Sequence, residues 1–172
     1  MGANKFAPTS YNSHNPVRSG TTMPDSQLRI GRHSEPHRAY FVTTMLNERK
    51  QRYFADFHCA RLVVTEMRIL HEANDVNSMA WVIMPDHIHW LFQLTEHKSL
   101  SDVMKYFKAR SAQRVNVYLK REGRLWQNAF YDHAIRNDED IKAIARYIVA
   151  NPLRAGLVNR IGDYSLWDAT WL

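Results

Sequence analysis

Two apolar runs joined by a Pro-Asp pair constrain this chain more than any other feature. Ser78–Met84 reads SMAWVIM and His87–Leu94 reads HIHWLFQL, with only Pro85 and Asp86 between them. Both runs are rich in β-branched and aromatic residues, and the connection has turn chemistry, so an antiparallel hairpin is expected. Ala39–Leu46 (AYFVTTML) reads as a strand before it and Ala129–Ile135 as a strand after it.

Helical patterns fill the gaps. Phe54–Ala73 carries Phe57, Ala60, Val64, Met67 and His71 at helical spacing, and Ser99–Lys120 carries Leu100, Val103, Met104, Phe107, Ser111, Val115 and Tyr118 on one stripe. Asn137 is placed to cap a last helix, with Asp138-Glu139-Asp140 in its first turn, running to about Ala150 and stopped by Pro152. The order β-α-β-β-α-β-α contains the split βαβ of a ferredoxin-like α+β fold: an antiparallel sheet with helices on one face, followed by an additional C-terminal helix. That fold hosts many functions, so the function has to be read from the site.

Residues 1–35 are rich in Ser, Asn, Thr, Pro, Gly and Arg and lack apolar periodicity, which predicts a flexible, mildly basic N-terminal arm ahead of one domain over residues 36–172. No run approaches the roughly 20 apolar residues of a membrane span, and the start shows no secretory signal. The single cysteine, Cys59, excludes an internal disulfide or a cysteine-based zinc site, so a reducing cytoplasm is expected. The net charge of +6 is concentrated: eight basic residues face two acidic ones between Lys98 and Arg124, leaving the remainder neutral. One basic element on a neutral body suits a polyanion, nucleic acid first, although a solvated helix face has the same composition.

Two residue pairs can carry chemistry. His87 and His89 are i and i+2 on a strand, so both imidazoles project from one face while Ile88, Trp90, Phe92 and Leu94 take the other. Tyr147 and Asn151 are i and i+4 on the last helix, and Tyr147 lies about 130° from the stripe formed by Ile141, Ile144, Ala145, Ile148 and Val149. Each pair alone reads as well as ordinary surface. Together they describe a divalent ion held by two imidazoles and an amide oxygen, with a tyrosine hydroxyl beside it. That combination suits phosphoryl transfer through a covalent phosphotyrosine.

MPDHIHWLF resembles the histidine–hydrophobic–histidine motif of the HUH single-strand nucleases. WQNAFYDHAIRN followed by YIVANPLRAGLV resembles the C-terminal half of the REP-associated tyrosine transposases, relatives of the single-tyrosine insertion-sequence transposases. The similarity covers roughly Pro36 to Asp163. It implies cleavage and rejoining of single-stranded DNA beside a palindromic hairpin with Mg²⁺ or Mn²⁺. Tyr147 takes the nucleophile position, forming a 5′-phosphotyrosine and releasing a 3′-hydroxyl; His87 and His89 take the metal-ligand positions. Asn151 matches the third ligand, where the insertion-sequence relatives usually carry Gln, and the shorter side chain leaves direct or water-mediated ligation open. The resemblance also implies a monomer at the nucleoid, dimers being the form of the insertion-sequence relatives.

Lys105, Lys108, Arg110 and Arg154 are candidates to track DNA phosphates. His133 reads as a satisfied strand histidine. Trp81, Trp90, Trp126 and Trp167 read as core, as do Met45, Met67, Met79, Met84 and Met104, with base stacking as the other role open to the tryptophans. Two other functions compete with the nuclease: a hairpin-binding regulator that does not cleave, and a hydrolase of a small phosphoester using the same histidines.

Overall fold

The computed structural model describes residues 34–137 and 139–171. A five-stranded antiparallel sheet organises them: β1 (Ala39–Met45), β2 (Val76–Met84), β3 (His87–Leu94), β4 (Tyr131–Ala134) and β5 (Trp167–Ala169), in the spatial order β4-β1-β3-β2-β5. The helices are α1 (Phe57–Glu72), α2 (Leu100–Tyr118), α3 (Ile141–Val149) and a short α4 (Asn151–Arg154). The first four strands and two helices form the expected split βαβ. The N-terminal arm expected over residues 1–35 lies, up to residue 33, outside the described residues. No helix among the described residues is long and apolar enough to cross a membrane.

Register divides the sheet into two faces. Across β1 and β3, Tyr40 pairs with Phe92, Val42 with Trp90 and Thr44 with Ile88, and these point toward α1 and α2. Phe41–Leu91, Thr43–His89 and Met45–His87 point the other way. On β2 the register slips between Ser78 and Ala80, so Met79 is the extra residue of a bulge, and Ala80, Val82 and Met84 join the histidine face.

The face under α1 and α2 holds the main core. Trp90 is fully buried, its ring centroid 4.4 Å from Phe92 and 5.4 Å from Phe107. Its indole N–H donates to Ser78 Oγ at 3.0 Å, and that of Trp126 donates to Ser111 Oγ at 2.9 Å, so both buried donors are satisfied. Ser99 caps α2 by accepting from the Asp102 N–H, and Asp56 caps α1 by accepting from the Cys59 N–H.

Five details differ from the sequence expectation. A short 3₁₀ turn holds Tyr53–Ala55, so α1 starts at Phe57, and its buried stripe is Cys59, Ala60, Val63, Glu66, Met67 and Leu70; Phe57 is 49% exposed and His71 is also exposed. Asp140, not Asn137, caps α3, accepting from the N–H groups of Lys142 and Ala143. Glu139 belongs to no helical turn because its carboxylate is bound by His133 and the Arg136 N–H. Pro152 opens α4, where a missing N–H costs nothing. Helix α3 covers the second face: it packs on β2, β3 and β5, burying Ile144, Ala145, Ile148 and Val149. The three-residue strand β5, pairing Ala169 with Ala80 and Trp167 with Val82, was not expected.

Candidate active site

The second face gathers the chemistry-bearing residues. His87 and His89 lie side by side on β3, their ring centroids 4.8 Å apart and their planes nearly perpendicular. Each ring is held by a neighbour at one nitrogen. His87 Nδ1 lies 2.6 Å from Asp86 Oδ1, and an ionised carboxylate accepts, so Nδ1 is the donor and Nε2 is the nitrogen left for another partner. His89 Nδ1 lies 2.8 Å from Thr43 Oγ1, its partner across the ladder, and Nε2 is the remaining nitrogen.

The electrostatics favour neutral imidazole at His89. The residue is 6% exposed, and burial pushes its pKa down to about 3; the His87 charge pushes the same way and Asp86 opposes. Burial works against the Asp86 carboxylate, but the hydrogen bond and charge of His87, joined by Arg49 at 2.7 Å, outweigh it and hold the pKa at about 2. Metal-bound histidines commonly give their second nitrogen to such a partner, which fixes tautomer and orientation. Two imidazoles, each oriented by a partner at one ring nitrogen, are a donor set suited to a divalent ion. No third His, Cys, Asp or Glu completes a metal-binding group with them among the described residues.

Tyr147 reaches this face from α3. Its ring stands edge-on to Phe41, centroids 6.4 Å apart, and Phe41 in turn lies 5.5 Å from His89. Phe41 is therefore the joint between helix and histidines. Arg154 from α4 lays its guanidinium 5.0 Å from the centre of the Tyr147 ring. Burial raises the Tyr147 pKa above its ordinary value of 10.0, and the Arg154 charge pulls against that. Asn151 turns its side-chain N–H groups back onto the carbonyls of Tyr147 and Ile148, at 2.9 and 3.1 Å. Its amide oxygen is thus the atom left to ligate.

The basic residues of α2 are placed elsewhere. α2 packs against the sheet face opposite the histidines, in the core that contains Trp90 and Phe92. Lys105 is exposed there. Arg110 lies 3.8 Å from the buried Glu66 carboxylate, which Arg114 also binds. Lys108 donates to the carbonyls of Gln127, Asn128 and Ala129. Charge composition could not separate these structural roles from phosphate contacts. Of the four basic candidates, Arg154 is the one in contact with Tyr147. His133 is satisfied by Glu139 at 2.9 Å.

Sequence reasoning passed over Thr43, Phe41 and Asp86. Thr43 and Phe41 are far from the histidines in sequence and meet them only through strand register. Asp86 adjoins His87 and could have been noticed, but it read as half of a turn.

An antiparallel sheet that presents paired histidines toward a helix-borne tyrosine defines a class of candidate phosphoryl-transfer proteins. A model of the IS200-like transposases matches residues 37–151, and the chain belongs to that family, a family of enzymes. The REP-associated tyrosine transposase of Escherichia coli (strain K12) is 25% identical over 126 residues, covering 73% of this chain and 72% of that protein. A Haemophilus influenzae protein, provisionally designated a REP-associated tyrosine transposase, is 30% identical over 139 residues, covering 73% and 76%. The fold also matches the solved structure of a REP-associated tyrosine transposase bound to a REP hairpin, with a TM-score of 0.67, 23% identity and 79% of each chain covered.

Proposed function

We propose that the chain is a metal-dependent single-stranded DNA endonuclease and strand transferase, acting beside palindromic hairpins through a covalent phosphotyrosine at Tyr147. The observation that carries this reading is the Phe41 ring, which lies against both Tyr147 and His89, so that Tyr147 and the histidines share one sheet face. The hairpin partner is supported by the solved relative, which is bound to a REP hairpin, and a DNA substrate implies work at the nucleoid.

In the proposed step, Tyr147 Oη attacks the phosphorus while the bond to the 3′ oxygen breaks. The phenolic proton is lost, the departing oxygen gains one to become a 3′-hydroxyl, and the 5′ phosphate stays on the tyrosine. Rejoining is the reverse attack by a 3′-hydroxyl. The covalent intermediate conserves the phosphodiester energy for that second step. His87, His89 and the amide oxygen of Asn151 would hold Mg²⁺ or Mn²⁺, which when bound stabilises negative charge on the phosphate. A phenol whose pKa burial has raised needs such help. Asp86 and Thr43 keep the two imidazoles oriented, and Arg154 keeps a positive charge against the tyrosine ring.

The test is a denaturing gel of the full chain with labelled single-stranded palindromes, with and without Mn²⁺. A metal-dependent covalent adduct is expected, lost in Tyr147→Phe while hairpin binding persists. Undiminished cleavage by Tyr147→Phe would overturn the mechanism. Tight binding with no adduct on any palindrome would instead identify a non-cleaving regulator.

A further inference from the structure

Strand register runs one row of side chains across the histidine face. Tyr131 on β4 pairs with Thr43 on β1, and Thr43 pairs with His89 on β3. Directly opposed residues share a face, so all three project the same way. Neighbouring strands lie about 4.8 Å apart, which puts Tyr131 on the order of 10 Å from His89 along the row. At its far end the row passes to Val82 and Trp167, beneath α3. At the near end Tyr131 is 65% exposed.

This tyrosine sits on a fixed scaffold. The Lys108 ammonium draws together the carbonyls of Gln127, Asn128 and Ala129, the segment that leads into β4. Two residues further on, His133 is tied to Glu139 at 2.9 Å. The strand is thus anchored on both sides of Tyr131 while the ring itself remains open. An exposed aromatic ring on a rigid strand exacts little ordering entropy when another flat ring settles on it.

We propose that Tyr131 is a stacking platform for an unpaired base of the DNA strand whose phosphate lies at His87 and His89. The inference rests on the function proposed above. It adds a residue that selects single-stranded over duplex flanks. A base within a duplex already has both faces stacked on its neighbours, whereas an unpaired base offers a free face to the phenol ring. Stacking of this kind is tolerant of base identity, so Tyr131 holds the strand in place without reading its sequence.

The experiment uses the full chain carrying Tyr147→Phe, which binds without turnover. Its probe is the oligonucleotide that forms the adduct with the unsubstituted chain: a palindromic hairpin with single-stranded flanks. Fluorescence anisotropy is measured on this probe, on the hairpin without flanks, and on versions with an abasic site at each flank position in turn. Adding Tyr131→Ala is expected to weaken binding of the flanked probe by roughly 5- to 100-fold, while Tyr131→Trp preserves it and the flankless hairpin binds both proteins equally. One abasic position should weaken the parent by a similar factor and leave Tyr131→Ala unchanged. Equal binding of the flanked probe by parent and Tyr131→Ala would overturn the proposal, as would losses that simply add at every abasic position. If no oligonucleotide forms an adduct with the unsubstituted chain, the proposed function fails and this inference with it.

Discussion

Thr43 and Thr44 are neighbours on β1, are both buried, and face opposite sides of the sheet. Thr44 points into the face covered by α1 and α2, and its hydroxyl finds no hydrogen-bond partner. Thr43 points to the other face, where its hydroxyl meets His89 at 2.8 Å. The first face is a packing surface on which Trp90 and Phe92 meet Phe107 of α2. The second buries an imidazole together with a partner for it. A sheet can thus separate stability from chemistry by alternation alone, with one side chain in two devoted to each.

Truncating the centre of the packing face gives the largest expected effect. Trp90 is fully buried between Phe92 and Phe107. Trp90→Ala would remove a large apolar volume and strand the Ser78 hydroxyl, costing about 3–5 kcal/mol of stability. Urea unfolding checks this. A loss below about 1 kcal/mol would mean that the face repacks freely, against the close packing expected of a protein core.

The histidine face should respond to pH. An imidazole ordinarily titrates near 6.5, while burial holds His89 at about 3. Between those values the unfolded chain binds a proton that the folded chain excludes. Stability is therefore complete above pH 6.5 and declines as pH falls toward 3, by up to about 1.4 kcal/mol per pH unit. Asp86, held at about 2 against 3.8, adds a loss of the same sign in more acid solution. Unfolding metal-free protein near neutrality and about two pH units lower measures the slope, and subtracting the same data for His89→Gln isolates this residue. Identical slopes in the two proteins would assign the acid sensitivity to other groups.

How far these two faces were legible follows from where their contacts come from. Period-two alternation in HIHWLFQL separates histidines from core residues within one strand, so that division was readable. The extent of α2, expected over Ser99–Lys120 and found over Leu100–Tyr118, was readable because its apolar stripe lies within one segment. The capping of α3 was not, because Glu139 turns to His133 and moves the helix start to Asp140, a preference visible only once β4 is in place. Strand β5 has three residues, too few to show a pattern, and exists through its pairing with β2. The basic stripe of α2 was legible as charge but not in its partners, for a similar reason. Lys108 and Arg110 read as free charge, and their partners, three loop carbonyls and Glu66, lie on other segments. Tyr147 was legible as a residue off its helix stripe, but its position over Phe41 depends on how α3 packs.

The smallest expected effect separates the adjacent threonines most cleanly. Thr44→Val replaces a buried, unpartnered hydroxyl with a methyl group of similar size, so stability should rise by about 1 kcal/mol. Thr43→Val makes the same chemical change one residue away and should lower stability by about the same amount, because it leaves the buried Nδ1 of His89 without a partner. Freed of that partner, the ring can also take either tautomer. Binding of Mn²⁺ by metal titration should weaken roughly 10-fold or more in Thr43→Val and stay unchanged in Thr44→Val. The paired design matters because the two variants share composition, strand propensity and burial, and differ only in the face they touch. Equal responses of both would show that the Thr43 hydroxyl does not orient His89, and the ring would then have to be held by packing against Phe41 and His87.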